Sequence, residues 1–448
     1  MKRFFYTMIL AAALAVGFMS CSKEDDPDIP AIAGIENAED NLSMAVGESI
    51  TFTASVTPTE QTEYQWTLDG QEVSTELAYT FAPKQTGEYI LKFTATNVSG
   101  TDSREFTVSV VLYKGGFFVI NEGSFGRTMG SVDYFADAST RTPHVYQTAN
   151  PGKELGNTTE FGTKWNGNYY FVSKQDRTLV KASATDFVDG GEYSAAVAGS
   201  DADGRSFAGI DENYGVYTTS NGAYVVDLNT FKSVSYLEGS RGVGSTGMSA
   251  QCGGAITAGD YIFVINVKDG VYVYSKADRS LVRSEVLCPA HIGFVQSKDG
   301  NIWASDGPSL YCINPKTLAV TKTDLPDGLE VYSDQWAWKP AMFDASATEN
   351  VLYFASAGDN YAVQNIYRYQ IGDASSLAQP FASGGANDYL YGGGFRVDPV
   401  SGDLVATFVG VSWGDDQNKL VVFDGKTGAE KSRLEYQEYL FPTMVLFN

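Results

Sequence analysis

Histidine is nearly absent. His144 and His291 are the only two in 448 residues. A Ser-His-Asp triad can be built around only one of them at a time, and no nucleophile motif stands near either. The chain has no GxSxG, HExxH, phosphate-binding loop or dinucleotide fingerprint. Cysteine is scarce too, with four residues and no CxxC pair. That spacing gives no support to a zinc site of the usual kind. Positive charge is in deficit, with 31 Lys and Arg against 54 Asp and Glu and a formal charge of −23. Such a field repels polyanions, so nucleic acid is excluded as an expected partner. After the first twenty residues there is no long apolar run, which excludes a spanning helix from the remainder. No cofactor is expected, and the carboxylates are too scattered to single out an acid–base pair.

Aromatic residues, by contrast, make up 13% of the chain, with 27 Tyr and 26 Phe, and Gly is frequent at 46. Short aromatic and apolar runs punctuated by Gly point to an all-β protein. The length calls for two or more domains.

Residues 1–20 read as a targeting segment. Lys2 and Arg3 precede an apolar stretch from Met8 to Phe18. The sequence FMSCSKEDD follows, with Cys21 after a small residue. This resembles the lipobox of bacterial lipoproteins, and SKEDD resembles the acidic export tag of surface lipoproteins in gut Bacteroidota. The resemblance implies a lipidated Cys21 and the outer face of the outer membrane, with the lipid as the only membrane attachment. Residues 21–40 are acidic, carry Pro27 and Pro30, and read as a tether. Of the other cysteines, Cys252, Cys288 and Cys312, at least one is expected as a small buried side chain; a disulfide between Cys252 and Cys288 stays open.

Residues 41–111 form a separate unit. SITFTASVT alternates, YQWTLDG sets Trp66 on a strand before a turn, and AYTFAPKQTGEYILKFTATNVSG adds two strands. Turns every eight to twelve residues suggest a β-sandwich. These segments resemble a PKD or Ig-like domain. The resemblance makes Trp66 the core tryptophan, puts Tyr89 where a corner tyrosine would be, and gives the domain a spacer role.

From residue 112 to 448 one sentence is repeated. GAYVVDLNTFKSV (222–234) has counterparts at GVYVYSKADRSLV (270–282), SLYCINPKTLAV (309–320) and KLVVFDGKTGAEK (419–431). Seven similar strands begin near Phe117, Tyr169, Val216, Ile262, Ile302, Leu352 and Leu404, spaced by 40 to 52 residues. Each is followed by a turn and a second strand, and most follow a short Gly- or Ala-bearing segment. A period in the forties with several strands per unit means a β-propeller, of seven blades by this count and eight by the competing one. PTMVLFN (442–448) fits the place that the first blade leaves empty, so the C-terminal strand is expected to close the ring. The VVDLNTFKSV wording resembles the YncE-like propellers.

In a propeller the loops between blades share one face with those joining second and third strands. Here that face collects Phe125 and Arg127 in NEGSFGRTMGS (121–131), and Arg241 and Gln251 in SRGVGSTGMSAQCG (240–253). GLEVYSDQWAWKPA (328–341) supplies Tyr332, Asp334, Gln335, Trp336 and Trp338. SAGDNYAVQN (356–365) supplies Asn360 and Tyr361, GGANDYLYGGG (384–394) supplies Asn387, Tyr389 and Tyr391, and GVSWGDDQNK (410–419) supplies Trp413 and Asp415. Any one of these rings can simply pack between blades. Together, rings beside amides and carboxylates suit a ligand with apolar faces and hydrogen-bonding edges. His291 and the acidic turn GSDADG (199–204) read as structural. The whole pattern resembles Bacteroidota surface lipoproteins of the BtuG type. That resemblance implies a non-enzymatic protein that captures a cobalamin-type small molecule for a TonB-dependent outer-membrane transporter. The same rings and acids suit a surface glycan-binding protein, and a polysaccharide lyase or hydrolase is the catalytic alternative.

Overall fold

Strand periodicity changes along the chain, and the structure follows it. The structure is a computed structural model, and it describes residues 27–124, 127–193, 202–241, 251–332, 340–357, 363–410, 416–438 and 441–448. The segment read above as targeting and lipidation, Cys21 included, lies outside the described residues. Two compact units are present, the first mostly ahead of residue 110 and the second running from Val110 to Asn448.

In the first unit the strands alternate because each sheet has one wet face. Ile50–Thr57 buries Phe52, Ala54 and Val56 while the residues between them are turned toward solvent. Three strands, Ala31–Glu36, Ile50–Thr57 and Ala78–Phe81, form one sheet. Five form the other, with Gly87–Asn97 and Gly100–Val111 at its middle. Trp66 is 0% exposed, with the Phe93 ring 4.9 Å away and Phe106 edge-on at 6.4 Å. Tyr89 packs edge-on against Phe81 at 5.3 Å. The sandwich begins earlier than the sequence suggests. Ala31–Glu36, assigned above to the tether, pairs with Ile50–Thr57. Its AIAGIE sequence has no aromatic residue and one weak alternation, so it carries little strand signal of its own; Ile32 and its pairing partner supply the reason it folds.

In the second unit the strands read as unbroken apolar runs because both faces are covered. Phe117–Asn121 is buried at every position. This unit has seven sheets among its described residues, six of four strands and one of three. The second strands are Phe117–Asn121, Asn168–Gln175, Tyr214–Thr219, Tyr261–Asn266, Ile302–Ser305, Val351–Ala357 and Leu404–Val409. They coincide with the seven starts read from the sequence. The inner strands, in sheet order, are Pro442–Phe447, Asn157–Trp165, Gly204–Gly209, Cys252–Ala258, Ile292–Gln296, Phe343–Ala345 and Tyr389–Val397. Each lies against the next, and that of the seventh sheet lies against Pro442–Phe447. The first sheet thus takes its inner strand from the chain's end, where Pro442–Phe447 pairs with Phe117–Asn121.

The repeated wording is a turn. Asp227 accepts from the N–H groups of Asn229 at 2.8 Å and Thr230 at 2.9 Å, and Phe231 then takes φ 55°. Asn314 does the same with Lys316 and Thr317 ahead of Leu318 at φ 58°. Asp424 does it with Lys426 and Thr427 ahead of Gly428 at φ 72°. A side-chain oxygen that closes the turn, followed by one left-handed residue, is what D-x-x-T encodes. These bonds hold both carboxyls below the usual carboxylate range, the Thr230 N–H leading at Asp227 and the Thr427 hydroxyl at Asp424.

Candidate functional site

Chain direction decides which loops share an end. Every inner strand starts at the end where second and third strands are joined, because neighbouring strands in each sheet are antiparallel. All six loops singled out in the sequence leave the second unit at that end. Five of them serve the sixth, seventh and first sheets, which are neighbours in the circuit. The loop at 240–253 enters the fourth sheet.

Nine of the sixteen candidate residues, Phe125, Asp334, Gln335, Trp336, Trp338, Asn360, Tyr361, Trp413 and Asp415, lie outside the described residues. The remaining seven fall into two groups. Arg127, Arg241 and Asn387 are exposed. Arg127 sits in a tight turn closed by Ser124 and Thr128, where Gly123 at φ 77° leaves no room for a side chain. Tyr332, Tyr389 and Tyr391 are half-buried, and Gln251 is buried. Tyr391 donates its hydroxyl to Glu122 at 2.7 Å and leans its ring on Phe441 at 5.2 Å. It therefore stitches the seventh sheet's inner strand to the first sheet. Gln251 accepts from Arg205 at 2.9 Å, and Tyr332 packs onto the core between the sixth and seventh sheets.

Buried charges gather at this end; the sequence points to Asp388 in GGANDYLYGGG but not to Glu160 or Arg205. Glu160 and Arg205, each 3% exposed, stand on the inner strands of the second and third sheets. Lys174 lies 2.9 Å from Glu160. Arg205 donates to Gln251, to Asp203 at 3.2 Å and to the Gly204 carbonyl at 3.2 Å, while its Nε has no partner among the described residues. Asp388, 2% exposed, joins Lys419 and Arg433 and accepts from the Gly385 N–H at 3.0 Å. Burial pushes its carboxyl up, but the Lys419 and Arg433 bonds outweigh that and hold it below the usual range. The sequence signal was a charge inside an inner-strand segment: Glu160 in NTTEFGTKW, which also holds Lys164, and Arg205 in GRSFAG. Buried charges of this kind fix backbone geometry, which here is the base from which the loops spring.

His291 stands half-buried just ahead of the fifth inner strand, its N–H donating to the Ser305 carbonyl. Among the described residues no cluster of His, Cys, Asp and Glu could hold a metal ion. Cys252, Cys288 and Cys312 are free thiols. Burial pushes Cys252 up to about 12 and the other two up to about 11, which keeps all three in the unreactive thiol form.

Residues 115–448 match a family model described as a domain of unknown function, DUF5074, and residues 30–97 match a PKD-like domain. The search of curated proteins finds no match. Among solved structures the chain is similar to a quinonprotein alcohol dehydrogenase-like protein from Bacteroides thetaiotaomicron, at 19% identity and TM-score 0.57 over 93% of this chain and 99% of that one. AztD of Citrobacter koseri aligns at 12% identity and TM-score 0.41 over 86% of this chain and 98% of that one. PorZ of Porphyromonas gingivalis, a surface component of the type-IX secretion system, aligns at 12% identity and TM-score 0.37 over 78% of this chain and 44% of that one. At such identities the likeness concerns the fold.

Proposed function

This chain belongs to the DUF5074 family through residues 115–448, and we propose that it is a non-catalytic surface lipoprotein that captures a small ligand at the loop end of its second unit. The observation that carries this reading is the gathering of six ring- and amide-bearing loops at one end of the sheets, five of them on three neighbouring sheets. A concave or flat surface of rings with amides and carboxylates between them binds molecules that have both apolar faces and polar edges. The cobalamin type fits that description, since its corrin rim is apolar and bears amides. It carries no polyanionic charge for an acidic protein to repel. Delivery to a TonB-dependent outer-membrane transporter is what the resemblance to BtuG-type lipoproteins implies; the lipobox-like segment around Cys21 would tether the chain to that membrane, with the PKD-like domain as the spacer.

Calorimetry on the chain beginning after Cys21 tests the reading. Cyanocobalamin is expected to bind one to one at micromolar protein. The double variant Trp336→Ala/Trp338→Ala is expected to lose roughly 30-fold in affinity, the loss of a hot spot of about 2 kcal/mol. No heat from the wild type would remove cobalamin as the ligand. Retardation of the same protein in polysaccharide gels would move the ligand class to glycans.

A further inference from the structure

The channel between the inner strands holds a cavity of about 270 Å³. Its half-buried walls are apolar, with Phe161, Trp165, Ile256 and Phe294 facing it. Trp165 is fixed in place, since its Nε1 donates to the Asp211 carbonyl at 3.0 Å. The lining runs from Pro340 and Ala341, where the 328–341 loop meets its inner strand, to Trp165 and Thr257 at the far ends of theirs. Of the described residues that line it, Arg396 alone carries a charge.

The backbone is shaped around that guanidinium. The inner strand Tyr389–Val397 slips register between Leu390 and Phe395, across Gly392, Gly393 and Gly394. A Cβ on Gly393 would come within 3.1 Å of Arg396 Nη2, so glycine gives the guanidinium its seat. Nη1 donates to the carbonyls of Phe395 at 2.7 Å, Gly393 at 3.0 Å and Ala341 at 3.1 Å. Nε and Nη2 donate to nothing among the described residues. The acid that acts on Arg396 is Asp344, on the neighbouring inner strand. Both Asp344 oxygens are taken by backbone N–H groups, of Ala345 at 2.9 Å and Val397 at 2.8 Å, and no ion pair joins the two side chains. Burial pulls the Arg396 guanidinium down, with Asp344 opposing it, so the cation gains from any further acceptor.

We propose that this channel binds a small monocarboxylate with an apolar body, its carboxylate on the Nε–Nη2 edge of Arg396 and its body against Phe161, Trp165 and Phe294. The open edge of a guanidinium matches the two oxygens of a carboxylate in a paired geometry. A single cation among apolar walls selects one negative charge; a phosphate would need more donors than the Thr163, Ser206 and Thr257 hydroxyls supply. The volume, equal to roughly nine waters at about 30 Å³ each, suits an aryl or branched aliphatic acid and not a macrocycle.

Calorimetry with phenylacetate, 2-phenylethanol, benzylamine and inorganic phosphate separates the possibilities. Phenylacetate is expected to bind, and the neutral, cationic and phosphate probes are not. Arg396→Gln should weaken phenylacetate about 10- to 100-fold, as loss of a charge-assisted pair does, with Arg396→Lys in between. Equal binding by Arg396→Gln, tighter binding of phosphate, or no carboxylate binding at about millimolar concentration overturns the proposal. Should Arg396→Gln not fold, the wild type decides. A crystal soaked in 4-bromophenylacetate should show the bromine anomalous peak in the channel; a peak elsewhere, or none, refutes the site.

Discussion

A chain cut before Pro442 should lose the cooperative fold of its second unit while keeping the sandwich. The seven residues removed include Thr443, Met444 and Val445, all buried, in the strand that pairs with Phe117–Asn121. Burial of Met444 and Val445 contributes about 2 kcal/mol each, and the lost ladder adds to that. The larger effect is indirect. Phe117–Asn121 becomes an open edge, and the seventh and second inner strands lose the neighbour between them. Asn448 goes as well, which accepts from the Tyr169 hydroxyl at 2.6 Å and donates to the Tyr113 carbonyl at 2.6 Å. Together these match the total stability of an ordinary domain, about 5–15 kcal/mol. Limited proteolysis should leave a fragment spanning the sandwich and digest the rest. A truncated chain with an unchanged melt would show that the C-terminal strand is dispensable.

The second large effect is expected at Trp66. Its ring is surrounded by Phe52, Tyr79, Phe93 and Phe106. Trp66→Ala leaves a cavity at the centre of a small sandwich and should cost about 3–5 kcal/mol. A unit of that size has little to spare. Trp66→Phe should be far milder, because the buried indole Nε1 has no hydrogen-bond partner among the described residues and its removal gives up no bond to them. Hydrogen exchange in Gly87–Asn97 reads both variants in the full chain. Fast exchange is expected for Trp66→Ala and near wild-type protection for Trp66→Phe. Equal protection in the two would mean that the indole is not the sandwich's keystone.

Local signals made the second unit legible. Each second strand is an apolar run with both faces covered, and each D-x-x-T turn closes on its own side-chain oxygen, so neither needs a distant partner to be recognised. PTMVLFN could be placed because the first sheet visibly lacked an inner strand. Ala31–Glu36 was not legible, since its strand character comes from Ile50–Thr57 and not from itself. The site was legible only as an end of the molecule. Which of its rings are spent internally depends on long-range partners: Tyr391 meets Glu122 across most of the second unit, and Gln251 meets Arg205 on the preceding sheet. Arg396 was hidden for the same reason. Its sequence, GGGFRVD, shows an ordinary strand with extra glycine, and the cavity exists only once the inner strands have gathered.

The claim that the loop end is the ligand face is tested most directly by hydrogen–deuterium exchange on the chain with and without saturating cyanocobalamin. Slowed exchange is predicted in 328–341, 384–394 and 410–419, with no change in the hairpins that follow the inner strands, such as 165–168 and 258–261. Protection confined to those hairpins, or absent from all six loops, would contradict it.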